Sequence, residues 1–402
     1  MFKKLFSLVL ALLMVASLMV FTTSCGGGVD PSFKIGFIFL HDQNSTYDLN
    51  FINAAKATQK ALGMSDSQVI LKTNIPEGQE CYDTACDLVE QGCSVVFADS
   101  FGHESYMIEA AKKYPNVQFC HATGTRAHTE GLANYHNAFA SIYEGRYLAG
   151  VAAGMKLNEM IAAGQFDAKD AKIGYIGAYT YAEVISGYTS FFLGARAICP
   201  TATMEVTFTG SWYDEAAEKE AATTLIAKGC KLISQHADSM GAPTACEAAG
   251  VPDVSYNGST VASCPNTFIV SSAINWAPYM QYIIECTKDG KAIEADWSKG
   301  LNEGSVVISE VNTKAAAAGT AEKLEAVKAD LIAGKIHVFD ISTFTVDGKA
   351  LTEDHLADVD TDDAYTPDTK VVYDGYFHES EKRSAPYFDL KIDGITLLNS
   401  AF

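Results

Sequence analysis

The sequence predicts an α/β protein with two doubly wound parallel-sheet lobes, joined by a hinge and followed by a C-terminal extension. Apolar runs of strand length alternate with helical patterns, an order that is typical of parallel βαβ units. This order begins at Lys34-Ile-Gly-Phe-Ile and begins again at Lys172-Ile-Gly-Tyr-Ile, which indicates two similar lobes. The 402 residues, of which 48% are hydrophobic and 19% charged, suffice for two or three packed domains.

The first 24 residues have the layout of a bacterial export signal. Two lysines precede an apolar run over residues 5–21, and three small polar residues then precede Cys25. This arrangement resembles a lipoprotein signal, with Thr22 at the position where Leu is usual. We therefore expect residues 1–24 to be removed and Cys25 to be acylated. An ordinary secretory signal or an uncleaved anchor helix is the alternative.

Residues 33–147 are predicted to form lobe 1, after a flexible Gly-rich tether over residues 25–32. The lobe has four apolar segments of strand length, separated by helical patterns. The predicted strands cover residues 33–40, 69–73, 94–98 and 117–121. A long apolar helical pattern over residues 143–154 leads out of this lobe.

Residues 148–275 are predicted to form lobe 2, and residues 276–340 are predicted to return across the hinge. The strands of lobe 2 are predicted at residues 171–177, 204–208, 231–235 and 268–272. Residues 341–402 form the extension, in which Asp347-Gly348 predicts the turn of a hairpin. We expect the extension to pack against one lobe.

Composition and motifs exclude several classes of function. The chain has 29 basic and 49 acidic residues, a net charge of −20 that becomes −22 without the leader, and such a chain repels nucleic acid. It contains no nucleophile elbow, phosphate-binding loop or zinc-protease motif, and its histidines lack metal-ligand spacing. We therefore predict no catalysis, no metal and no cofactor. The nine cysteines after Cys25 are an odd number without zinc spacing, so we expect free buried thiols.

Aromatic, carboxylate and amide side chains recur in the loops that follow the predicted strands. The candidate ligand residues in these loops are Tyr47, Asp48, Phe101, Trp212, Asp238, Asn257, Asn275 and Trp276. Ligands of open α/β sheets bind at the carboxyl ends of the strands, so two facing lobes are expected to hold one ligand between them. Rings stack on a planar ligand, and Asp or Asn can hydrogen-bond to its nitrogen-rich edge. Any single aromatic residue of this set could instead serve the packing of its lobe.

Several segments resemble the basic membrane protein family of ABC-transporter solute-binding lipoproteins. The similar segments are Lys34-Ile-Gly-Phe-Ile, Tyr143-Glu-Gly-Arg-Tyr-Leu-Ala-Gly, Lys172-Ile-Gly-Tyr-Ile-Gly, Gly210-Ser-Trp-Tyr-Asp, Gln235-His-Ala-Asp-Ser and Ile274-Asn-Trp-Ala-Pro. The resemblance extends over roughly residues 33–340. It implies a type I periplasmic-binding-protein fold that captures purine nucleosides or bases for import.

The resemblance also implies roles for particular residues. In that family, one aromatic ring from each lobe sandwiches the purine, and by position these rings are Tyr47 and Trp212. Asp48 matches a polar residue that is commonly Asn, and Asn257 matches an Asp. Asn275 stands where nucleoside-binding relatives have a Lys, so the motif set is closer to the branch associated with free bases such as adenine.

We therefore predict a monomeric receptor, lipid-anchored to the cell membrane on its extracytoplasmic face, that delivers a purine base or nucleoside to an ABC permease. Closure of the hinge would bury the ligand between the two lobes. A sugar or another small solute on the same fold is the first alternative, because sugar binders also use aromatic stacking. A nucleoside-cleaving enzyme is the second.

Overall fold

The computed structural model of the chain describes residues 29–360 and 366–401. The export signal and Cys25 lie outside these residues, so the expectations about the leader and its lipid stay predictions. Within the described part of the chain, no helix is both long enough and apolar enough to cross a membrane.

The first sheet contains six parallel strands and forms the centre of lobe 1. Numbered along the chain, its strands are β1 (Ile35–Ile38), β2 (Val69–Lys72), β3 (Val95–Ala98), β4 (Gln118–Ala122), β5 (Tyr135–Ala140) and β11 (Asp296–Lys299). They lie in the order β2-β1-β3-β4-β5-β11. The helices of this part of the chain are α1 (Thr46–Ala61), α2 (Gln79–Glu90), α3 (Glu104–Lys113) and α4 (Ala127–Glu130).

The second sheet contains seven strands and forms the centre of lobe 2. Its strands are β6 (Lys172–Gly177), β7 (Thr203–Phe208), β8 (Leu232–His236), β9 (Asp253–Tyr256), β10 (Phe268–Ile274), β12 (Val306–Ile308) and β19 (Ile395–Leu397). They lie in the order β19-β7-β6-β8-β9-β10-β12, and only the β10–β12 pair is antiparallel. The helices of this part are α5 (Ile142–Ala162), α6 (Ala182–Ile198), α7 (Glu215–Ala227) and α8 (Gly241–Ala249).

The chain passes between the two sheets three times before the extension begins. Helix α5 carries it from β5 to β6, and α9 (Ala277–Asp289) carries it from β10 back to β11, packing against α1 on the way. A short loop then leads from β11 to β12. Helix α10 (Thr320–Ile332) follows and packs against α5. The predicted α/β class with two parallel-sheet lobes is confirmed.

Some strands could be recognised from their sequences and others could not, and their burial explains the difference only in part. Every residue of β1 and β3 is buried, as is typical of parallel strands that are covered on both faces, and both have continuous apolar sequences. Strand β5 is equally buried but includes His136 and Asn137, so its sequence does not have the apolar pattern of a strand. The nine described cysteines are buried free thiols, which confirms that expectation.

The extension contacts both lobes. Positive φ angles of 51° at Asp347 and 72° at Gly348 confirm the predicted turn, which joins β13 (Thr345–Val346) to β14 (Lys349–Ala350). Strand β19 pairs with β7 in lobe 2. On the side of lobe 1, the N–H and Oγ of Ser384 donate hydrogen bonds of 2.8 and 2.7 Å to Oδ1 of Asp296 in β11. The expectation that the extension packs against one lobe is therefore wrong.

Two further antiparallel pairs complete the described part of the extension. They are β15 (Leu356–Ala357) with β16 (Thr369–Lys370), and β17 (Val372–Tyr373) with β18 (Tyr376–Phe377). Phe388, which follows these strands in the extension, is fully buried. It stacks on Phe339 with 4.3 Å between ring centroids. The extension therefore has apolar anchors of its own and is not held by β19 alone.

Helices α5 and α6 approach each other so closely that glycine is required at their crossing. A Cβ at Gly150 of α5 would lie 1.9 Å from the carbonyl oxygen of Phe191 in α6. A Cβ at Gly194 of α6 would lie 2.1 Å from the carbonyl oxygen of Tyr147 in α5. Helix α5 also leads out of lobe 1, so this crossing fixes how the first crossover enters lobe 2.

Replacing Gly150 with Ala is expected to lower the free energy of unfolding by about 1–3 kcal/mol, because a methyl group would force the two helix backbones apart. Unfolding in urea, followed by circular dichroism, measures the change. Gly145→Ala on the same helix is the control, since its Cβ would meet Cγ1 of Val306 at 2.7 Å, a side-chain atom that can move. An unchanged midpoint for Gly150→Ala would contradict the proposed role of this crossing.

Candidate functional site

Loops at the carboxyl ends of strands from both lobes meet across a closed cleft. The N–H and Oγ1 of Thr46, at the start of α1, donate hydrogen bonds of 3.1 and 3.2 Å to the carbonyl oxygen of Asp238 in lobe 2. Nδ2 of Asn50 donates to Oδ1 of Asn257 at 3.4 Å. The two lobes are therefore in direct contact beside the site.

These loops line a cavity between the lobes, which we call the inter-lobe cavity. Lobe 1 supplies Leu40, His41, Tyr47, Asp48, Ser100, Phe101 and Thr123, and lobe 2 supplies Glu183, Trp212, His236, Asp238 and Tyr256. The structure thus brings five of the eight predicted ligand residues together at one cavity. Those five are Tyr47, Asp48, Phe101, Trp212 and Asp238.

Tyr47 and Trp212 line the cavity from opposite lobes. The Tyr47 hydroxyl donates a hydrogen bond of 2.8 Å to the carbonyl oxygen of Asp99, and its ring packs edge-on against Phe51. Trp212, in the loop after β7, contacts the ring of Tyr179 at 5.1 Å between centroids with an interplanar angle of 66°. Rings held in this way lose little conformational freedom when a planar ligand stacks on them.

Asp48 is buried at the start of α1 and fixes the loop that follows β1. Ser45 caps the helix, because its Oγ accepts from the N–H of Asp48 at 3.2 Å. The carboxylate of Asp48 accepts from the N–H of His41 at 2.8 Å and from Oγ of Ser45 at 2.5 Å. Burial acts to raise the pKa of Asp48, but hydrogen bonds from His41 and Ser45 outweigh it and lower that pKa. Asp48 is thus an ionised group whose oxygens already have partners within the chain.

Asp238 is the corresponding carboxyl group of lobe 2. Its N–H donates a hydrogen bond of 3.0 Å to the carbonyl oxygen of Trp212, which ties the carboxyl and the ring to one loop. Nδ2 of Asn257 lies 3.5 Å from Oδ1 of Asp238 and donates to it. Asn257 does not line the cavity, and it contacts the site through this hydrogen bond to Asp238.

The inter-lobe cavity is acidic. Burial, and then the negative charges of Asp48, Glu218 and Glu183, raise the pKa of Asp238 well above its usual range. Burial and the charge of Asp48 do the same to Asp99, which lies behind Tyr47. No Lys or Arg occurs among the described residues that line the cavity. Such a site disfavours anions and favours groups that donate hydrogen bonds.

The structure places Asn275 and Trp276 away from the cavity, which corrects the expectation that they contact the ligand. Trp276 is 1% exposed and stacks on Phe51 in the core of lobe 1, with 4.4 Å between ring centroids. Asn275 lies at the hinge, where its N–H donates to the carbonyl oxygen of Ser305 and its Nδ2 to that of Gly304. Both residues follow a strand, but α9 turns the Trp276 ring into the core.

The cavity also includes residues that the sequence analysis did not single out. Glu183 follows β6, the first strand of lobe 2, so the rule applied to the other strands would have found it. His236 and Tyr256 are the last residues of β8 and β9. Nε2 of His236 lies 3.3 Å from Oε1 of Glu183, and burial lowers the pKa of His236.

No cluster of three or more His, Cys, Asp or Glu side chains that could hold a metal ion occurs in residues 29–360 and 366–401.

A family model described as Bmp, the PnrA-like ABC transporter substrate-binding proteins, matches residues 44–341. The chain belongs to this family. It is thus an ABC transporter substrate-binding protein and not an enzyme, and a small-molecule ligand and a permease are the partners that family membership implies. Residues 342–401 of the extension lie beyond the region that matches the Bmp model.

Two relatives of this Bmp protein have names that state a ligand. A purine-binding protein of Brucella abortus (strain 2308) is 29% identical over 297 residues, which are 73% of this chain and 80% of the relative. A candidate glucose-binding protein of an ABC transporter from Haloferax volcanii is 32% identical over 217 residues, 54% of this chain and 51% of the relative.

Solved structures share the fold of this Bmp protein. An ABC transporter solute-binding protein from Aeropyrum pernix K1 has a TM-score of 0.62 at 16% identity, covering 76% of this chain and 93% of its own. One from Conexibacter woesei has a TM-score of 0.60 at 19% identity, covering 76% of this chain and 98% of its own. The periplasmic-binding-protein fold is thereby confirmed.

Replacing Asp238 with Asn is expected to raise the melting temperature of the ligand-free protein near neutral pH. Folding raises the pKa of this carboxyl group. The folded state is therefore destabilised as the pH rises above the pKa of Asp in the unfolded chain, which is about 3.9. The melting temperature of Asp238→Asn should therefore exceed that of the wild type by an amount that is absent below about pH 4 and grows as pH rises to 8. Thermal unfolding of both proteins across this range measures it.

Asp167→Asn is the matched control, because the Asp167 side chain is 78% exposed and no burial opposes its charge. This variant should show no pH-dependent gain over the wild type. If Asp238→Asn had the same melting temperature as the wild type at every pH, the Asp238 carboxyl would not be under electrostatic strain.

Proposed function

We propose that this protein captures a purine base or nucleoside in the inter-lobe cavity and presents it to an ABC permease. The observation that carries the proposal is the combination within one cavity of a ring from each lobe, Tyr47 and Trp212, with the buried carboxyl group of Asp238. A purine is planar, so it can be stacked on both faces while its edge remains free for hydrogen bonds.

The acidity of the cavity supports a ligand with N–H donors and no negative charge. Exocyclic amines and ring N–H groups of a purine can donate hydrogen bonds to the carboxyl oxygens of Asp238. Such donation offsets the cost of keeping that carboxylate buried among other acidic groups. A nucleotide would bring a phosphate next to Asp48 and Glu183 with no cation to balance it. The name of the Brucella abortus relative agrees with a purine.

A sugar is the second candidate ligand, and the name of the Haloferax volcanii relative favours it. Sugars also stack on aromatic rings and donate hydroxyl hydrogens to carboxylates. A sugar ring, however, is not planar and would not require two facing aromatic residues. The ligand screen below includes glucose for this reason.

The location of the receptor is part of the proposal. Residues 1–24 would direct export, and a lipid on Cys25 would hold the monomeric protein at the extracytoplasmic face of the cell membrane. The tether of residues 25–32 would leave the two lobes free to reach the permease.

A thermal-shift screen of the mature protein tests the ligand class. Adenine, hypoxanthine and guanine are expected to raise the melting temperature, because a ligand at 100 times its dissociation constant adds about 2.7 kcal/mol to the unfolding free energy. Glucose and amino acids should leave the melting temperature unchanged. A shift with glucose and none with any purine would overturn the proposal in favour of a sugar receptor.

Replacing Trp212 with Ala should weaken purine binding at least about tenfold, since stacking of a base on an aromatic ring contributes roughly 1–3 kcal/mol. Isothermal titration calorimetry measures the affinity. Trp297→Phe is the control, because Trp297 packs against Tyr279 in lobe 1 and does not line the cavity. Equal purine affinities for Trp212→Ala and the wild type would refute the stacking arrangement.

A further inference from the structure

A row of four aromatic rings runs from lobe 1 to the Trp212 ring of the inter-lobe cavity. Phe101, which follows β3 in lobe 1, stacks on Tyr181 in lobe 2 with 5.0 Å between ring centroids and an interplanar angle of 28°. Tyr181 stacks on Tyr179 at 5.1 Å and 16°, and Tyr179 meets Trp212 edge-on at 5.1 Å and 66°. The Phe101–Tyr181 contact joins the two lobes, so the row is complete only when the cleft is closed.

The two tyrosines of this row do not line the inter-lobe cavity, whereas Phe101 and Trp212 do. Any effect of Tyr179 or Tyr181 on a ligand must therefore pass through the rings that they contact. Both tyrosines follow β6, and their rings lie 5.1 and 6.1 Å from the Trp212 ring between centroids. They therefore pack against the ring that we propose stacks on the purine.

The backbone is fixed on both sides of the Phe101–Tyr181 contact. Phe101 lies between Ser100 and Gly102 in the loop after β3. The hydroxyl of the first and the N–H of the second donate hydrogen bonds of 2.5 and 2.8 Å to Oε1 of Glu77. Tyr181 is the N-cap residue of α6, so that helix fixes its backbone. Two anchored positions therefore meet when the lobes close.

The rings themselves depend on one another for their packing. Phe101, Tyr179 and Tyr181 are each half-buried. In the described part of the chain, none of the three packs against the hydrophobic cores of the lobes. Loss of the Phe101 contact would leave the tyrosine rings with fewer neighbours and more rotamer freedom. This freedom would extend to Trp212, because both tyrosines contact its ring.

We infer that Tyr179 and Tyr181 are positioning residues that couple closure of the lobes to the orientation of the Trp212 ring. The inference rests on the proposed function and goes beyond it, since it assigns a role to residues that do not line the cavity. Closure completes the row and orders Trp212 for stacking, and a ligand stacked on Trp212 stabilises the row in return. The main effect falls on the rate of ligand release, because the row must break before the cleft opens.

Rates of adenine binding to the full mature protein, measured by stopped-flow fluorescence, test this coupling. Tyr181→Ala should raise the dissociation rate at least about fivefold and leave the association rate within about twofold of the wild type. Tyr181→Phe, which keeps the ring, should release adenine as slowly as the wild type does. Phe166→Ala is the control and should also match the wild type, because Phe166 is a half-buried ring of lobe 2 that does not line the cavity.

A double-mutant cycle separates the row from direct contact with the ligand, since Phe101 itself lines the cavity. If the two rings act as a pair, Phe101→Ala combined with Tyr181→Ala should release adenine within about twofold of the faster single variant. Rate increases that multiply in the double variant would show that the two rings act independently.

The fluorescence of Trp212 reports the order of its ring. The chain has three tryptophans, and Trp276 and Trp297 are only 1% and 4% exposed, so acrylamide quenches mainly Trp212. With adenine bound, Phe101→Ala should raise this quenching, although Phe101 is linked to Trp212 through the tyrosines.

Three results would each overturn the inference while the proposed function stands. They are an unchanged dissociation rate for Tyr181→Ala, rate increases that multiply in the double variant, and unchanged quenching in Phe101→Ala. A wild type that binds no purine of the thermal-shift screen would overturn the proposed function together with the inference.

Discussion

The burial of acidic groups at the junction of the two lobes is the constraint on which the site depends. Asp48, Asp99 and Asp238 are each at most 5% exposed, and the cavity beside them has no cation among its described lining residues. His41 and Ser45 donate hydrogen bonds to the carboxylate of Asp48, whereas among the described residues the carboxyl group of Asp238 has only the long contact with Asn257. The proposed ligand, with its N–H donors, would supply Asp238 with the hydrogen bonds that it lacks.

The fold could be predicted from the sequence because parallel strands buried on both faces have continuous apolar sequences that repeat between lobes. The same regularity predicted part of the site. Strand-end loops meet at one edge of a sheet, so Tyr47, Trp212 and Asp238 could be assigned to a common cleft before any distance was known. The Asp347-Gly348 turn could also be predicted from the sequence, because both residues of such a turn adopt positive φ angles and Asp-Gly favours them.

Other features depend on contacts that the sequence pattern does not encode. Trp276 follows a strand as Trp212 does, but its ring turns into the core because α9 packs against α1 there. The Asn257 side chain contacts the carboxyl group of Asp238 and does not line the cavity, and a sequence pattern does not specify the direction of a side chain. The extension has no apolar periodicity that reveals its partners, and its contacts are long-range ones: β19 pairs with β7 in lobe 2, and Ser384 hydrogen-bonds to Asp296 in lobe 1.

A crystal structure of the mature protein grown with adenine tests the central claim most directly. The account predicts the purine ring between Tyr47 and Trp212, with its polar edge within hydrogen-bond distance of the Asp238 carboxylate. Adenine bound outside the inter-lobe cavity, or stacked on neither ring and away from Asp238, would contradict it.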